Sequence, residues 1–165
     1  MLRKYLILIV FCCSAVVTQA QGLQISLTGM VTFNETQLVI SEAGEDIEGT
    51  ITSNSGVQLS IESNNYWDMK NEKWRIYVHK SNVEWNDGIK LEVKREGNGE
   101  NTDNKGGTNI HDGTSYAEIS DTPNYFFRGM GLIANIPLAF QLKDLSLTMG
   151  ANDFETDVVF TIYDD

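Results

Sequence analysis

Apolar side chains recur at every second position through most of this chain. Leu23, Ile25 and Leu27 alternate with polar neighbours, Leu38 and Ile40 share a face, and Ile47, Gly49 and Ile51 alternate with acidic residues and threonine. Val57, Leu59 and Ile61 are separated by Gln58 and Ser60, and Trp74, Ile76 and Val78 oppose Arg75, Tyr77 and His79. Ile89, Leu91 and Val93 oppose Lys90, Glu92 and Lys94. Leu138, Phe140 and Leu142 repeat the pattern, and Val158, Phe160 and Ile162 close the chain. A period of two places these side chains on one face of an extended strand, whereas a helix would need recurrence at three and four.

Turn residues punctuate the runs. Ser53-Asn54-Ser55-Gly56 separates two strands at hairpin distance, and Asn86-Asp87-Gly88 and Asp112-Gly113 each carry an Asp-Gly pair that favours positive φ. About eight to ten short strands, each with one apolar face, predict an all-β chain of antiparallel sheets. The expected architecture is an immunoglobulin-like β-sandwich. The longest irregular stretch, Gly97 to Gly113, is expected to be a loop, either mobile or ordered by a ligand.

The N-terminus breaks this pattern. Arg3 and Lys4 precede an apolar run from Tyr5 to Val17, interrupted by Ser14, and Thr18-Gln19-Ala20 places small residues where a signal peptidase reads them. That layout predicts a secretory signal peptide over 1–20, cleaved near Ala20, followed by one domain over 21–165. The run is shorter than the roughly 20 apolar residues of a spanning helix, so no stable membrane span is expected. Phe11 before Cys12 argues against a lipid-attachment cysteine. With the leader go Cys12 and Cys13, so the exported chain is expected to hold no disulfide or thiolate site.

Charge narrows the partners. The chain carries 12 Lys and Arg against 23 Asp and Glu, a net charge of −11, and losing Arg3 and Lys4 takes it to about −13. Such a surface is a poor match for nucleic-acid phosphates. It is compatible with cations, with neutral glycans, or with solubility alone.

Trp74-Arg75-Ile76-Tyr77-Val78 follows the Val57–Ser63 strand, and Ile136-Pro137-Leu138 leads through Gly150 to a final Phe154-Glu155-Thr156-Asp157-Val158-Val159-Phe160-Thr161-Ile162. These segments resemble secreted bacterial immunoglobulin-like sandwiches of the spore-coat-U and archaic chaperone–usher pilin type. The resemblance implies an Ig-like fold and a surface or appendage role, and it carries no catalytic residue. The chain departs from the group in two ways: its mature part has no cysteine, and its last strand is complete.

Candidate chemistry is sparse. Asn101, Asp103, Lys105, Gly106, Asn109 and Asp112 fall at positions 1, 3, 5, 6, 9 and 12 of a calcium-loop register, with Asp103 and Asp112 the candidate metal ligands. Lys105 occupies an oxygen-ligand position there, and a polar glycine-rich loop is the plainer reading. A second acidic group, Asp153, Glu155 and Asp157, is the other calcium candidate. The run Glu42, Glu45, Asp46 and Glu48 reads as a solvated face. No other cofactor is expected.

Flat exposed aromatics suit the faces of sugar rings. Tyr66, Trp67, Trp85, Tyr116 and Tyr125 are the candidates; Trp67 and Trp85, both beside turn residues, either share a rim of one sheet and bind ligand or cap the ends of the sandwich. Trp74 belongs to the core by alternation. Phe126 and Phe127 are adjacent, so a regular strand would turn one of them outward, to a partner surface or a second apolar layer, unless a bulge intervenes. His79 is expected outward on its strand and His111 in the loop, neither within a recognisable catalytic motif. Asn34-Glu35-Thr36 is a glycosylation sequon with meaning only in a eukaryotic secretory route.

The function expected is that of an exported, non-catalytic sandwich with a structural or adhesive role at the bacterial surface or in an appendage. The alternative is a carbohydrate-binding module using exposed aromatics. The last strand, Val158–Tyr163, is the expected element for edge pairing with a partner or a second copy.

Overall fold

The computed structural model describes residues 10–12, 22–33, 50–54, 56–102, 108–146 and 154–165. The expected sequon and the Glu42–Glu48 acidic run lie outside these residues, as do Asp103, Asp153 and the candidate strand positions Leu38, Ile40, Ile47 and Gly49. Among the described residues the strands in chain order are β1 (Val10–Cys12), β2 (Leu23–Gly29), β3 (Ile51–Thr52) and β4 (Val57–Ser63). A helical turn, α1 (Tyr66–Met69), leads to β5 (Lys73–Glu84), β6 (Lys90–Arg95), β7 (Glu100–Asn101) and β8 (Asn109–His111). Then come β9 (Ala117–Glu118), β10 (Asn124–Met130), β11 (Ile133–Lys143) and β12 (Glu155–Asp164).

These strands form two sheets. Sheet A has the order β1-β12-β5-β10-β8. Sheet B has the order β2-β4-β11-β6-β9, with β3 and β7 also paired to β11. The all-β, two-sheet antiparallel sandwich expected from the alternation is the architecture found. Pairing among the described strands is antiparallel except for β1, which runs parallel to the start of β12 with Val10, Phe11 and Cys12 opposite Glu155, Thr156 and Asp157.

Alternation explains the core. Trp74, Ile76, Val78, Phe127, Val158, Phe160 and Ile162 face inward from sheet A. They meet Leu59, Ile61, Leu91, Val93, Ile133, Ile136, Leu138, Phe140 and Leu142 from sheet B. Each such side chain contributes about 1.5–3 kcal/mol by leaving water. The central strands depart from one-sided burial: Ala139 and Gln141 on β11, and Val159 and Thr161 on β12, are buried on the opposite face as well.

Two turn signals do different work from that expected. No two consecutive strands pair with each other among the described residues; from β7 to β12 each successive strand changes sheet. The Ser53–Gly56 stretch is therefore not a hairpin. β3 and β4 follow one another along the same edge of β11, at Gln141–Leu142 and Ile133–Leu138. Ser53 fills the gap: its N–H donates to the Phe140 carbonyl at 2.8 Å and its Oγ accepts the Phe140 N–H at 2.9 Å. Likewise Asn86–Gly88 joins β5 in sheet A to β6 in sheet B. Neither Asp87 nor Gly88 has positive φ. The Asn86 side chain closes the turn instead, its Oδ1 accepting the Gly88 N–H at 2.8 Å.

Asp112-Gly113 does adopt the left-handed conformation, with φ of 68° and 72°. This pair swings the chain from β8 in sheet A to β9 in sheet B. Arg95 anchors the crossing. Its N–H donates to the Gly113 carbonyl at 2.7 Å, its Nε donates to the Asp112 carbonyl, and its Nη1 donates to the Gly97 carbonyl at 3.2 Å and to Asn98 Oδ1 at 2.5 Å. The stretch expected as one irregular loop thus holds two short strands, β7 and β8, and a buried arginine ties its two ends together.

The Phe126-Phe127 question resolves as a bulge. The register of β10 against β5 shifts between Tyr125 and Phe127, and both phenylalanines are buried, stacked edge-to-face at 4.9 Å. The extra residue in the bulge lets two successive side chains point the same way.

Candidate functional site

The outward positions of sheet A gather the chemistry. Inward alternation of Trp74, Ile76 and Val78 leaves Lys73, Arg75 and Tyr77 of β5 on the outer face. The strand register places partners beside each. Tyr77 lies opposite Tyr125 on β10 and Thr161 on β12. Arg75 lies opposite Arg128 on β10 and Tyr163 on β12, and Arg128 lies opposite His111 on β8. Lys73 lies opposite Met130, which lies opposite Asn109.

Three tyrosines form an open platform. Tyr77 packs edge-to-face on Tyr125 at 5.9 Å and on Tyr163 at 5.1 Å. Tyr77 is half-buried between them, while Tyr125 is 40% and Tyr163 49% exposed. A shallow depression bounded by Arg75, Tyr77, Pro123 and Tyr163 runs along the platform. Beyond it, a hollow of about 190 Å³ is lined by Lys73, Asn109, His111, Arg128 and Asp165.

Carboxylates organise the face. Asp165, immediately after β12, pairs with the Arg75 Nη2 and holds that guanidinium above its ordinary pKa, chiefly through the hydrogen bond. Asp112 is shared: its Oδ2 accepts the Tyr125 O–H and lies 3.6 Å from Arg128 Nε. Burial first, and then the bond to Asp112, push the Tyr125 phenol from 10 up to about 12. Folding therefore tightens the hold on that proton. Its contribution is intact below pH 10 and is lost as pH rises through about 12. In a spectrophotometric alkaline titration, Asp112→Asn is expected to move the Tyr125 transition downward but not fully to 10, since burial remains. A transition unmoved in the variant would show that Asp112 does not set it.

The residues expected as sites are dispersed. Trp67 and Trp85 do not share a rim: Trp67 sits on α1 before β5 and Trp85 just after its far end, and twelve residues of strand span about 40 Å. Trp85 is a structural cap. Its Nε1 donates to the Ile89 carbonyl at 3.0 Å, and Lys80 lies 5.7 Å over its ring. Trp67 is 75% exposed, with the Lys70 ammonium 5.1 Å from its ring centre. Tyr66 opens α1, and Tyr116 lies under the Lys94 ammonium at 4.8 Å. Of the two candidate metal ligands, Asp103 lies outside the described residues, and the Asp112 carboxylate is engaged by Tyr125 and Arg128. Among the described residues no group of three or more His, Cys, Asp or Glu is placed to hold a metal ion. His79 is half-buried with an unpartnered Nδ1, and His111 Nε2 pairs with Asn109 Oδ1 at 2.8 Å.

Tyr77, Tyr163, Arg75, Arg128 and Lys73 escaped the sequence reading as site residues. Alternation does assign Arg75, Tyr77 and Tyr163 to outward positions, yet their meeting depends on which strands are neighbours. Among the described residues no helix is long and apolar enough to cross a membrane. No family model matches the chain, and no curated protein and no solved structure matches it.

Proposed function

We propose that this chain is an exported, non-catalytic β-sandwich with an adhesive or structural role at the bacterial surface, and that its contact surface is the outer face of sheet A. The observation that carries the reading is the exposed tyrosine platform of Tyr77, Tyr125 and Tyr163 beside Arg75 and Arg128. Tyrosine and arginine dominate the energetics of protein contact surfaces: tyrosine buries a large rigid ring with few rotatable bonds and a polar tip, and arginine presents a planar fork of donors on an apolar stem. A rigid sheet presents them without the entropic cost of ordering a loop. The leader-like N-terminus supports export, and the segments resembling spore-coat-U and archaic pilin proteins support a surface role.

Two measurements test this. Cell fractionation with intact-mass analysis is expected to find the product outside the cytosol and cut near Ala20; an uncut cytosolic product would end the export reading. Beads coated with the protein are expected to adhere to bacterial surfaces, and a Tyr125→Ser/Tyr163→Ser variant to lose most of that adhesion. Full adhesion by the variant would remove the sheet face as the contact surface.

The carbohydrate-binding alternative draws support from Trp67, the most exposed of the three tryptophans, and from the same tyrosines. Edge pairing is a further route to partners. β1 covers the edge of β12 at Glu155–Asp157, and cleavage near Ala20 would take β1 away, opening that edge to a strand of another chain. Size-exclusion chromatography of the processed protein reads this directly: concentration-dependent dimers are expected, and a monomer at every concentration would discard it.

A further inference from the structure

We propose that the outer face of sheet A binds an acidic glycan, a polymer of pyranose rings bearing carboxylates, with the rings on the tyrosine platform and the carboxylates at the arginine row. The proposal rests on the reading of this face as the contact surface and assigns its ligand.

Tyr163, Arg75, Arg128 and His111 stand directly opposite one another on four neighbouring strands, β12, β5, β10 and β8. Like charges directly opposite across a strand pair oppose folding. Arg75 faces Arg128 in that position, with a histidine beyond, in a chain that has almost twice as many acidic as basic residues. The facing arginines oppose folding and are offset only in part, by Asp165 and Asp112, and local conflicts of this kind mark functional surfaces.

The positive charge of the row is incompletely neutralised. Arg75 is paired to Asp165. Arg128 has only the exposed contact to Asp112, at 3.6 Å from Nε and beyond hydrogen-bond length, and that carboxylate also takes the Tyr125 hydroxyl. The Arg128 Nη groups meet no acceptor among the described residues, and the Lys73 ammonium meets no carboxylate there. Arg128, Lys73 and His111 line the same 190 Å³ hollow together with Asp165, whose carboxylate is held by Arg75. That volume suits a single charged group better than a whole small-molecule ligand, for which pockets run from about 300 Å³ upward. A guanidinium presents a planar fork of donors that matches the two oxygens of a carboxylate.

The row adjoins the tyrosine platform. Same-face positions along a strand are about 7 Å apart, so Tyr77 and Arg75 are separated by about the width of one sugar ring. Tyr163 ends the arginine row and packs on Tyr77. A pyranose laid on Tyr77 and Tyr163 can therefore direct a carboxylate at its rim towards Arg75 and Arg128. Asp164, which borders the depression beside Tyr163, is placed to accept sugar hydroxyls.

The test compares polygalacturonate, its fully methyl-esterified form and polyglutamate as probes of the full-length protein in affinity electrophoresis. Polygalacturonate is expected to retard the protein, the esterified polymer and polyglutamate to do so at least about tenfold more weakly, and salt of about 0.5 M to weaken binding through screening. Arg128→Gln with Lys73→Gln is expected to lose about tenfold or more for polygalacturonate, and Tyr77→Ser with Tyr163→Ser a similar factor. All four side chains lie on the outer face, and a retained cooperative melting transition checks the fold. Equal binding of the esterified polymer overturns the carboxylate assignment. Equal binding of polyglutamate overturns the glycan assignment. If no probe binds while the bead adhesion persists and is lost in Tyr125→Ser/Tyr163→Ser, the acidic-glycan proposal fails and the contact-surface reading stands; if that adhesion is also insensitive, both fail.

Discussion

Trp74→Ala is expected to lower stability by about 4 kcal/mol or more, measured as the shift in a urea-denaturation midpoint. Trp74 is fully buried between the two sheets, packed edge-to-face on Phe127 at 5.9 Å. Its Nε1 also donates to the Gly131 carbonyl at 2.7 Å, so truncation leaves a cavity and an orphaned acceptor together. A small domain is stable by about 5–15 kcal/mol, and this single change would use a large part of that margin. Trp74→Phe keeps most of the volume and loses the hydrogen bond, and is expected to cost less than half as much. Gly129 lies opposite Trp74, and a Cβ there would meet the indole Cζ2 and Cη2 at 2.5 Å. The ring thus requires a bare backbone on the neighbouring strand. A loss below about 1 kcal/mol for Trp74→Ala would mean that the indole is not the keystone of this core.

The second large effect belongs to Arg95. Replacing it by alanine is expected to cost about 3 kcal/mol, because a buried cation whose donors meet two backbone carbonyls and an amide oxygen leaves all of them unsatisfied when removed. Burial lowers the Arg95 pKa, opposed by the nearby Asp112 charge, so the protein holds this charge in place chiefly through hydrogen bonds. Arg95→Met keeps the apolar stem and is expected to recover part of the loss. A second readout separates this role from bulk packing. Arg95 grips the Asp112 carbonyl, and the Asp112 side chain holds Tyr125 and Arg128. Arg95→Met is therefore expected to shift the alkaline transition of Tyr125 downward as well. An unchanged Tyr125 titration alongside the stability loss would show that the clamp does not reach the sheet face.

Both effects concern elements that the sequence makes legible to different degrees. Trp74 is assigned to the core by strict alternation with Ile76 and Val78, since a strand has two faces and the neighbours on one of them are all apolar. The role of Arg95 has no such signature. It ends an alternating run at Leu91 and Val93 in an inward position, where a charged residue contradicts the pattern, and its partners lie in a loop that composition alone describes as polar and glycine-rich. The hairpin expectation at Ser53–Gly56 failed for a related reason: a turn-forming sequence reports local bending, and whether the chain returns beside itself or continues along a third strand depends on what that third strand offers.

By itself the sequence determined the strand class and the identity of most inward residues, because side-chain alternation acts between neighbours a few residues apart. Only the tertiary structure decided that β5 sits between β10 and β12, that a bulge turns both Phe126 and Phe127 inward, and that Arg75, Arg128 and His111 meet in one row beside three tyrosines. Those facts rest on register between strands far apart in the chain, where a displacement of one residue would send every side chain to the opposite face.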